Sequence, residues 1–488
     1  MLVKKANKIY LVTLLFIGLT GCKVGKQYDR PDLGSFPKEF HKNDSMASVI
    51  GDSTRLSQLK WSDFFNDPTL ISFIDTALVN NQNLQKTIQV LEMDRQDLVR
   101  SKANFYPSLG LVPGGFQREY ASENFNNYGS NRGRRNHGEN VPETLYTERL
   151  SYNMGVRSSW ELGLWGKLRW KKDAALAEYL ESSEFKKAVQ TALVAEVAAT
   201  YYGLLKLKAE LEVAEKNLKL NENTLRIVEL QYEAGETSSL AIRQTKSQKL
   251  RFQSLIPKIQ RQYAVQENRL NALLGRAPQK LEIRTHLDNV TFADDYNIGV
   301  PLELVQNRPD VAASEYALIA SNAAVGIAQA MKYPSLSIDA GLGLDAHRLN
   351  KLFDPMGSAF ALLNGSIFQP IFQNGKLKAN HRKAIAARQI AQLDFYENLI
   401  NAIREVSDAM ITIEKLEEEH TLAEERIETT QRGITDAALL FQSGFANYLE
   451  VITAQGDALD SELNLIDIKT QIFLGNIELY RSLGGGWQ

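Results

Sequence analysis

Residues 152–161 read Tyr152-Asn153-Met154-Gly155-Val156-Arg157-Ser158-Ser159-Trp160-Glu161. Alternate positions Tyr152, Met154, Val156, Ser158 and Trp160 are largely apolar, and those between them are all polar or glycine. A period of two is the mark of a β-strand with one face turned to an apolar surrounding. The pattern returns at Leu336, Ile338, Ala340, Leu342 and Leu344, set against Ser335, Ser337, Asp339, Gly341 and Gly343. Weaker strands follow Tyr106-Pro107 and run from Ala361 to Ile371, where Leu362 breaks the alternation. Four strands in two hairpins result. Alternation alone fits a soluble hairpin as well as a membrane barrel. Aromatic residues near the strand ends (Phe105, Tyr106, Trp160, Trp165, Tyr333, Phe368, Phe372) match the interfacial girdles of the barrel.

Outward from the strands the period changes. Prolines are scattered up to Pro142, absent from there to Pro257, and absent again from Ile371 onward. Such tracts can carry very long helices. Between Gly166 and Tyr232 the chain is rich in Ala, Leu, Glu and Lys, and Leu193, Val197, Tyr201, Leu204 and Leu211 fall three, four or seven apart. This is the pattern of an amphipathic helix or coiled coil. At 1.5 Å per residue it would reach roughly 100 Å, beyond the diameter of an ordinary domain, so it must serve as a rod or a wall.

The chain also repeats itself. Tyr106-Pro107-Ser108-Leu109 returns as Tyr333-Pro334-Ser335-Leu336, Trp165-Gly166-Lys167-Leu168 as Asn374-Gly375-Lys376-Leu377, Tyr232-Glu233-Ala234-Gly235 as Phe441-Gln442-Ser443-Gly444, and Leu273-Leu274-Gly275 as Ser482-Leu483-Gly484. The last three pairs share an offset of 209 and the first has 227. The fold is therefore two copies of helix, hairpin, long helix, turn and long helix. The first copy carries 18 extra residues, placed in the polar stretch Ser122 to Arg149 as an enlarged, water-facing hairpin loop.

Four strands cannot close a barrel, and an open edge cannot face lipid. The chain must then assemble with copies of itself: two would give about eight strands with little room inside, three about twelve with space for a passage. The N terminus agrees with a membrane setting. Lys4, Lys5 and Lys8 precede an apolar run from Ile9 to Leu19, then Leu19-Thr20-Gly21-Cys22, a secretory leader ending in a lipobox. Cys22 is the only cysteine, so lipidation and not a disulfide is its expected role. Lys23 follows it, as in lipoproteins sent on to the outer membrane. No later apolar run is read as a membrane helix.

Net charge is −2, which offers no basic stripe for a nucleic-acid backbone. An enzyme needs a convergent constellation, and none is seen. The six histidines are dispersed without zinc-site spacing, and no glycine-rich loop ends in Gly-Lys-Ser or Gly-Lys-Thr.

Taken in order, these landmarks resemble the TolC family, and more closely its lipoprotein branch, the outer-membrane factors of RND-type efflux pumps. The resemblance rests on Cys22, Val24-Gly25 and Tyr28-Asp29-Arg30-Pro31; on Trp61, Phe64 to Leu70, Ala77-Leu78 and Asn81; on Trp160-Glu161-Leu162 with Leu164-Trp165-Gly166; on Asn307-Arg308-Pro309-Asp310-Val311; and on Leu483-Gly484-Gly485-Gly486-Trp487. Gly163 stands where the family usually has an acid.

The family implies a mixed α and β membrane protein: a trimer with a 12-stranded outer-membrane β-barrel, four strands per chain, continued by a long periplasmic α-helical barrel. The expected organisation is a leader over 1–21, a lipid-anchored N-terminal and equatorial segment over 22–67, a first repeat over 68–278, an equatorial linker over 279–301 and a second repeat over 302–488. The hairpins are expected at about 106–161 and 334–371.

It further implies a passive, gated conduit for small toxic molecules or drugs. Its partners would be a periplasmic adaptor, an inner-membrane RND transporter and outer-membrane lipid. No cofactor or metal is expected beyond covalent diacylglycerol and an N-acyl chain on Cys22. The turns near Gly235 and Gly444 would form the periplasmic tip, making Tyr232, Gly235, Leu240, Gln244, Phe441, Gly444, Leu449, Val451 and Gln455 candidates for adaptor contact or tip packing. Glu450 matches an acidic position that rings the entrance in the family, with Thr453 at the next. Phe445 or Tyr448 could form an apolar plug instead. Metal-ion efflux and type I secretion are alternative roles for a channel. A lipid-anchored coiled-coil scaffold and a periplasmic hydrolase are readings of other classes.

Overall fold

The computed structural model describes residues 23–31, 60–122, 146–290 and 308–487. Helices α1 (Trp61–Phe64), α2 (Pro68–Asn80) and α3 (Gln82–Ala103) lead into strands β1 (Ser108–Ser122) and β2 (Tyr146–Leu162). Helices α4 (Lys167–Glu233) and α5 (Ser239–Leu273) follow. The order then recurs as α6 (Pro309–Ala330), β3 (Ser335–Ala346), a short α7 (Pro355–Ser358), β4 (Ala359–Phe368), α8 (Lys376–Gln442) and α9 (Tyr448–Ser482).

The repeat carries over to the helix lengths. α4 and α8 have 67 residues each, α5 and α9 have 35, and α3 and α6 have 22. Helix α5 runs through Pro257, which the proline count would have made a boundary. Pro257 and Gln253 are both exposed, so water can take the carbonyl that the missing N–H leaves free. α6 and a stretch of α4 prove apolar enough for their length to cross a membrane by composition alone, a correction to the sequence reading. In α6 alanines alternate with Val311, Leu318, Val325 and Ile327, and Ala313, Ala320, Ala323 and Ala330 are buried within the chain.

The chain divides into two compact units. One gathers Arg95–Ala177, Ile319–Ile390 and the segment up to Asp29. Its described residues form one antiparallel sheet in the order β1-β2-β3-β4, so the two hairpins are joined through β2 and β3. Register settles the faces. Val156 lies opposite Leu111 and Leu342, which puts Leu109, Leu111, Val156, Ile338, Leu342, Leu363 and Ile367 on one side. Leu109, Leu363 and Ile367 are about three-quarters exposed there, an apolar surface that water would not tolerate over this width.

The other side carries Arg157, Ser159, Glu161, Ser337, Asp339, Asn364 and Ser366. Leu362 belongs to this polar side opposite Gly341, which is why it interrupts the alternation of its strand. β4 ends at Phe368, short of the expected Ile371, because Pro370 cannot donate to a ladder. Gly155 and Gly343 face one another so closely that a Cβ on either would lie 2.4 or 2.1 Å from the opposing backbone. At the helix-side end of the strands Trp165 stacks on Tyr333 at 5.1 Å and donates its Nε1–H to the Pro334 carbonyl at 2.7 Å. The Trp160 indole donates to the Phe105 carbonyl at 3.1 Å.

The second unit comprises Arg30–Asp94, Glu178–Leu318 and Ala391–Gln488. Its core brings Phe64, Phe65, Leu70, Ile74, Tyr201, Leu204, Val406, Tyr480 and Leu483 together. Phe64 lies flat on Tyr480 at 4.3 Å, and burial of such side chains contributes about 1.5–3 kcal/mol each. Tyr201 donates its hydroxyl to Asp67 at 2.5 Å, while the other Asp67 oxygen caps α2 through Thr69 N–H. Burial first, and the Asp67 bond second, push the Tyr201 phenol well above its usual pKa.

Arg308 is buried at the start of α6. It donates to the Ser482 carbonyl at 2.9 Å and pairs with Asp310 and Glu405, and Glu405 also meets Arg481. This closes the C-terminal tail onto the unit. Gly485 is required beside it, since a Cβ there would meet the Tyr480 ring at 2.4 Å.

Candidate functional site at the two helix turns

The repeat places two equivalent turns in the second unit, between α4 and α5 and between α8 and α9. Gly235 and Gly444 adopt φ of +78° and +77°, with no atom within 4 Å of a Cβ. Backbone conformation and not crowding therefore demands glycine. Each closes its helix in the same way: Glu236 N–H reaches the Gln231 carbonyl at 2.8 Å, and Phe445 N–H reaches the Leu440 carbonyl at 2.9 Å, the six-to-one bond of a Schellman end.

Around these turns the predicted residues separate by burial. Phe441 and Val451 pack with Val228 and Ala241 in a small apolar cluster. Gln455 is 2% exposed, accepts from Asn221 Nδ2 at 3.0 Å and donates to Thr224 Oγ1 at 2.8 Å. These three side chains face the interior of the chain and hold helices together, so within a single chain they present nothing to a partner. Tyr232, Leu240, Leu449 and Phe445 are exposed, Phe445 most of all at 86%. Gln244, Glu450 and Thr453 are exposed as well.

A capping box and one side-chain bond order the second turn. Asn447 caps α9 by accepting from Leu449 N–H at 2.8 Å and Glu450 N–H at 3.3 Å, and the Glu450 carboxylate accepts from Asn447 N–H at 3.5 Å. The negative end of Glu450 thus sits in the first turn of α9, where the helix dipole favours it. Tyr448 donates to Gln244 Oε1 at 2.5 Å and ties the two turns to each other. Sequence reasoning named Glu450 and Tyr448 but missed Asn447, although Asn-x-x-Glu ahead of an apolar run is itself a capping-box signal. It also missed Asn221 and Thr224, whose partner lies 234 positions away in one case and 231 in the other. Cys22 lies outside the described residues. Among the described residues no group of three or more His, Cys, Asp or Glu is arranged to hold a metal ion.

A sheet apolar on one side and polar on the other, joined to paired helices of 67 and 35 residues that end in matched turns, defines the class of outer-membrane channel proteins. The family model for outer membrane efflux proteins matches residues 73–276 and 300–485, and the chain belongs to that family. It is 29% identical over 485 residues to the toluene efflux pump outer membrane protein TtgF of Pseudomonas putida, covering 98% of this chain and 97% of that one. It is 28% identical over 472 residues to the cation efflux system protein CusC of Escherichia coli, covering 97% of each. A solved CusC structure aligns with TM-score 0.79 and 26% identity, over 95% of this chain and 100% of that one. The outer-membrane channel OprN aligns with TM-score 0.84 at 24% identity, over 96% of this chain and 100% of that one, which bears on the fold. The chain is thus an outer-membrane efflux channel component reaching into the periplasm, and not an enzyme.

Proposed function

We propose that three copies close a 12-stranded barrel and form a passive export duct, lipid-anchored through Cys22, that receives cargo from an inner-membrane RND transporter through a periplasmic adaptor. The observation that carries this reading is the four-stranded sheet, apolar on one side and polar on the other, whose edges β1 and β4 have no further strand beside them among the described residues. Edges of that kind cannot face lipid, and other copies supply the missing partners. The polar side, with Arg157, Asp339 and Asn364, then lines the passage.

The exposed Tyr232, Leu240 and Leu449 beside the Gly235 and Gly444 turns fit an adaptor-docking surface. Glu450 and Thr453, repeated by symmetry, fit a polar ring at the entrance that attracts cations, with Phe445 as the apolar element beside it and the Tyr448–Gln244 bond as its latch. Small toxic organic molecules are the favoured cargo, supported by the toluene efflux relative; the cation efflux relative supports metal ions as the second reading.

The first test is planar-bilayer conductance of detergent-purified, lipidated protein, with its mass measured in the same detergent. A trimer with small, cation-selective, mostly closed channels is expected. A non-conducting monomer would overturn the duct. Deleting the gene and scoring sensitivity to organic solvents against metal salts separates the two cargo readings.

A further inference from the structure

In the first unit the residues that follow Cys22 are built into a fitted slot. Lys23 Nζ sits 3.5 Å above the Trp170 ring centroid and 2.6 Å from the Asp173 carboxylate. Val24 N–H donates to the Trp165 carbonyl at 3.3 Å, the Trp170 indole N–H donates to the Val24 carbonyl at 2.7 Å, and Asn322 Nδ2 donates to the Lys26 carbonyl at 3.3 Å. Three glycines make the room. A Cβ on Gly166 would meet Lys23 at 3.0 Å, one on Gly25 would meet the Trp170 ring at 3.2 Å, and one on Gly326 would meet that ring at 2.4 Å.

The internal repeat supplies the control. At the equivalent positions the second copy has Ala379 for Trp170 and Arg382 for Asp173, and the first copy has Val99 for Gly326. Gly375, the counterpart of Gly166, has nothing within 4 Å of its Cβ position. The slot is therefore no by-product of the repeated fold; among the described residues it exists only where the N-terminal segment passes.

We propose that Trp170, Asp173 and Gly326 form a seat that fixes the acylated N terminus, so that the lipid on Cys22 enters the membrane at one place beside the Trp165–Tyr333 pair instead of on a loose tether. Cys22 directly precedes the clamped Lys23 in the sequence, and consecutive Cα atoms are about 3.8 Å apart across a trans peptide, so a lipid on Cys22 would have a short tether. Trp165 both accepts from Val24 and stacks on Tyr333, the kind of aromatic pair that sits at the headgroup level. The seat rests on the reading of Cys22 as the acylated residue, and Trp170 and Asp173 act as positioning residues.

The test is timed trypsin digestion of the full-length, leader-processed trimer in detergent, following release of N-terminal peptides cut after Lys23 or Lys26 by mass spectrometry. Release is expected to be slow in the natural chain and about tenfold or more faster in Trp170→Ala and Asp173→Asn, with cleavage elsewhere unchanged, because loss of the cation–π and ionic contacts favours local opening. Should Trp170→Ala fail to assemble, Asp173→Asn decides alone. Equal release rates in natural and variant chains would overturn the seat. The mass of the N-terminal peptide judges acylation separately: protection without acyl mass sinks the lipid anchor and keeps the clamp, whereas acyl mass with rapid release does the reverse.

Discussion

Tyr448 donates its hydroxyl to Gln244 at 2.5 Å, so the first residue of α9 is bonded to the second turn of α5 across the two glycine turns. Tyr448→Phe removes the donor and keeps the ring that packs beside Val228, Ala241, Phe441 and Val451. One net hydrogen bond is worth about 1 kcal/mol, which allows roughly a fivefold rise in the population of an opened tip. Single-channel open probability should rise accordingly in Tyr448→Phe and in Gln244→Leu. Unchanged open probability in both would show that this bond does not restrain the duct.

Glu450 has two roles that substitution can separate. Its charge would select cations at the entrance, and its carboxylate completes the capping box with Asn447. Glu450→Gln removes the charge while keeping an oxygen for Asn447 N–H, whereas Glu450→Ala removes both. Reversal potentials in a salt gradient should show reduced cation selectivity for both variants, with a lowered unfolding midpoint for the alanine variant alone. Cation selectivity retained in both would move the filter elsewhere, Asp339 on the polar side of β3 being the next residue to test.

The architecture was legible because it is written twice. The 209-residue offset read from glycine landmarks is the same offset that separates Lys167 from Lys376, Glu233 from Gln442 and Leu273 from Ser482 at the helix ends. Alternation at 152–161 and 335–344 gave strand faces directly, since the side-chain period is two and one face must meet an apolar medium. Burial at the turns was not legible. Gln455 reads as a surface residue by type, and only the approach of Asn221 and Thr224 from α4 makes it interior. Lys23 likewise shows in the sequence only as the residue after Cys22, and its contacts with Gly166 and Trp170 come from more than 140 positions away. Contacts between distant segments leave no periodic trace in a single sequence, whereas helix ends and strand faces do.

That buried amide layer makes a stability prediction of definite sign. Gln455→Leu strands the Asn221 amide N–H inside the chain, at a cost of about 1–3 kcal/mol for an unpaired buried group, and leaves the Thr224 hydroxyl only its bond to the Leu220 carbonyl. Adding Asn221→Leu removes the stranded amide and lets the leucines pack, so the double variant should recover most of the loss. Denaturant midpoints in detergent should therefore order as natural, double, then Gln455→Leu. Additive losses would show that the two amides act independently.

Acid should loosen the closure of the C-terminal tail. Burial alone would raise the pKa of Asp310, but the hydrogen bond and charge of Arg308 and the Val311 N–H outweigh it and hold the carboxyl below its usual range. Glu478 is held low by the hydrogen bond from Arg481, against its burial. Carboxyls with depressed folded-state pKa bind protons more readily unfolded. Their contribution is complete above the unfolded carboxylate range and is lost as pH falls through the folded values. Glu181 and Glu210, both raised chiefly by burial, oppose this in the same region. A comparison between variants isolates the cluster: the natural chain should lose resistance to denaturant between about pH 5 and pH 3. Asp310→Asn should be weaker already at pH 7, because Arg308 keeps only Glu405 of its two charged partners, and should fall less steeply over the acid range. Parallel slopes for the two proteins would remove the Arg308–Asp310 pair from the acid response and leave Glu478 to account for it.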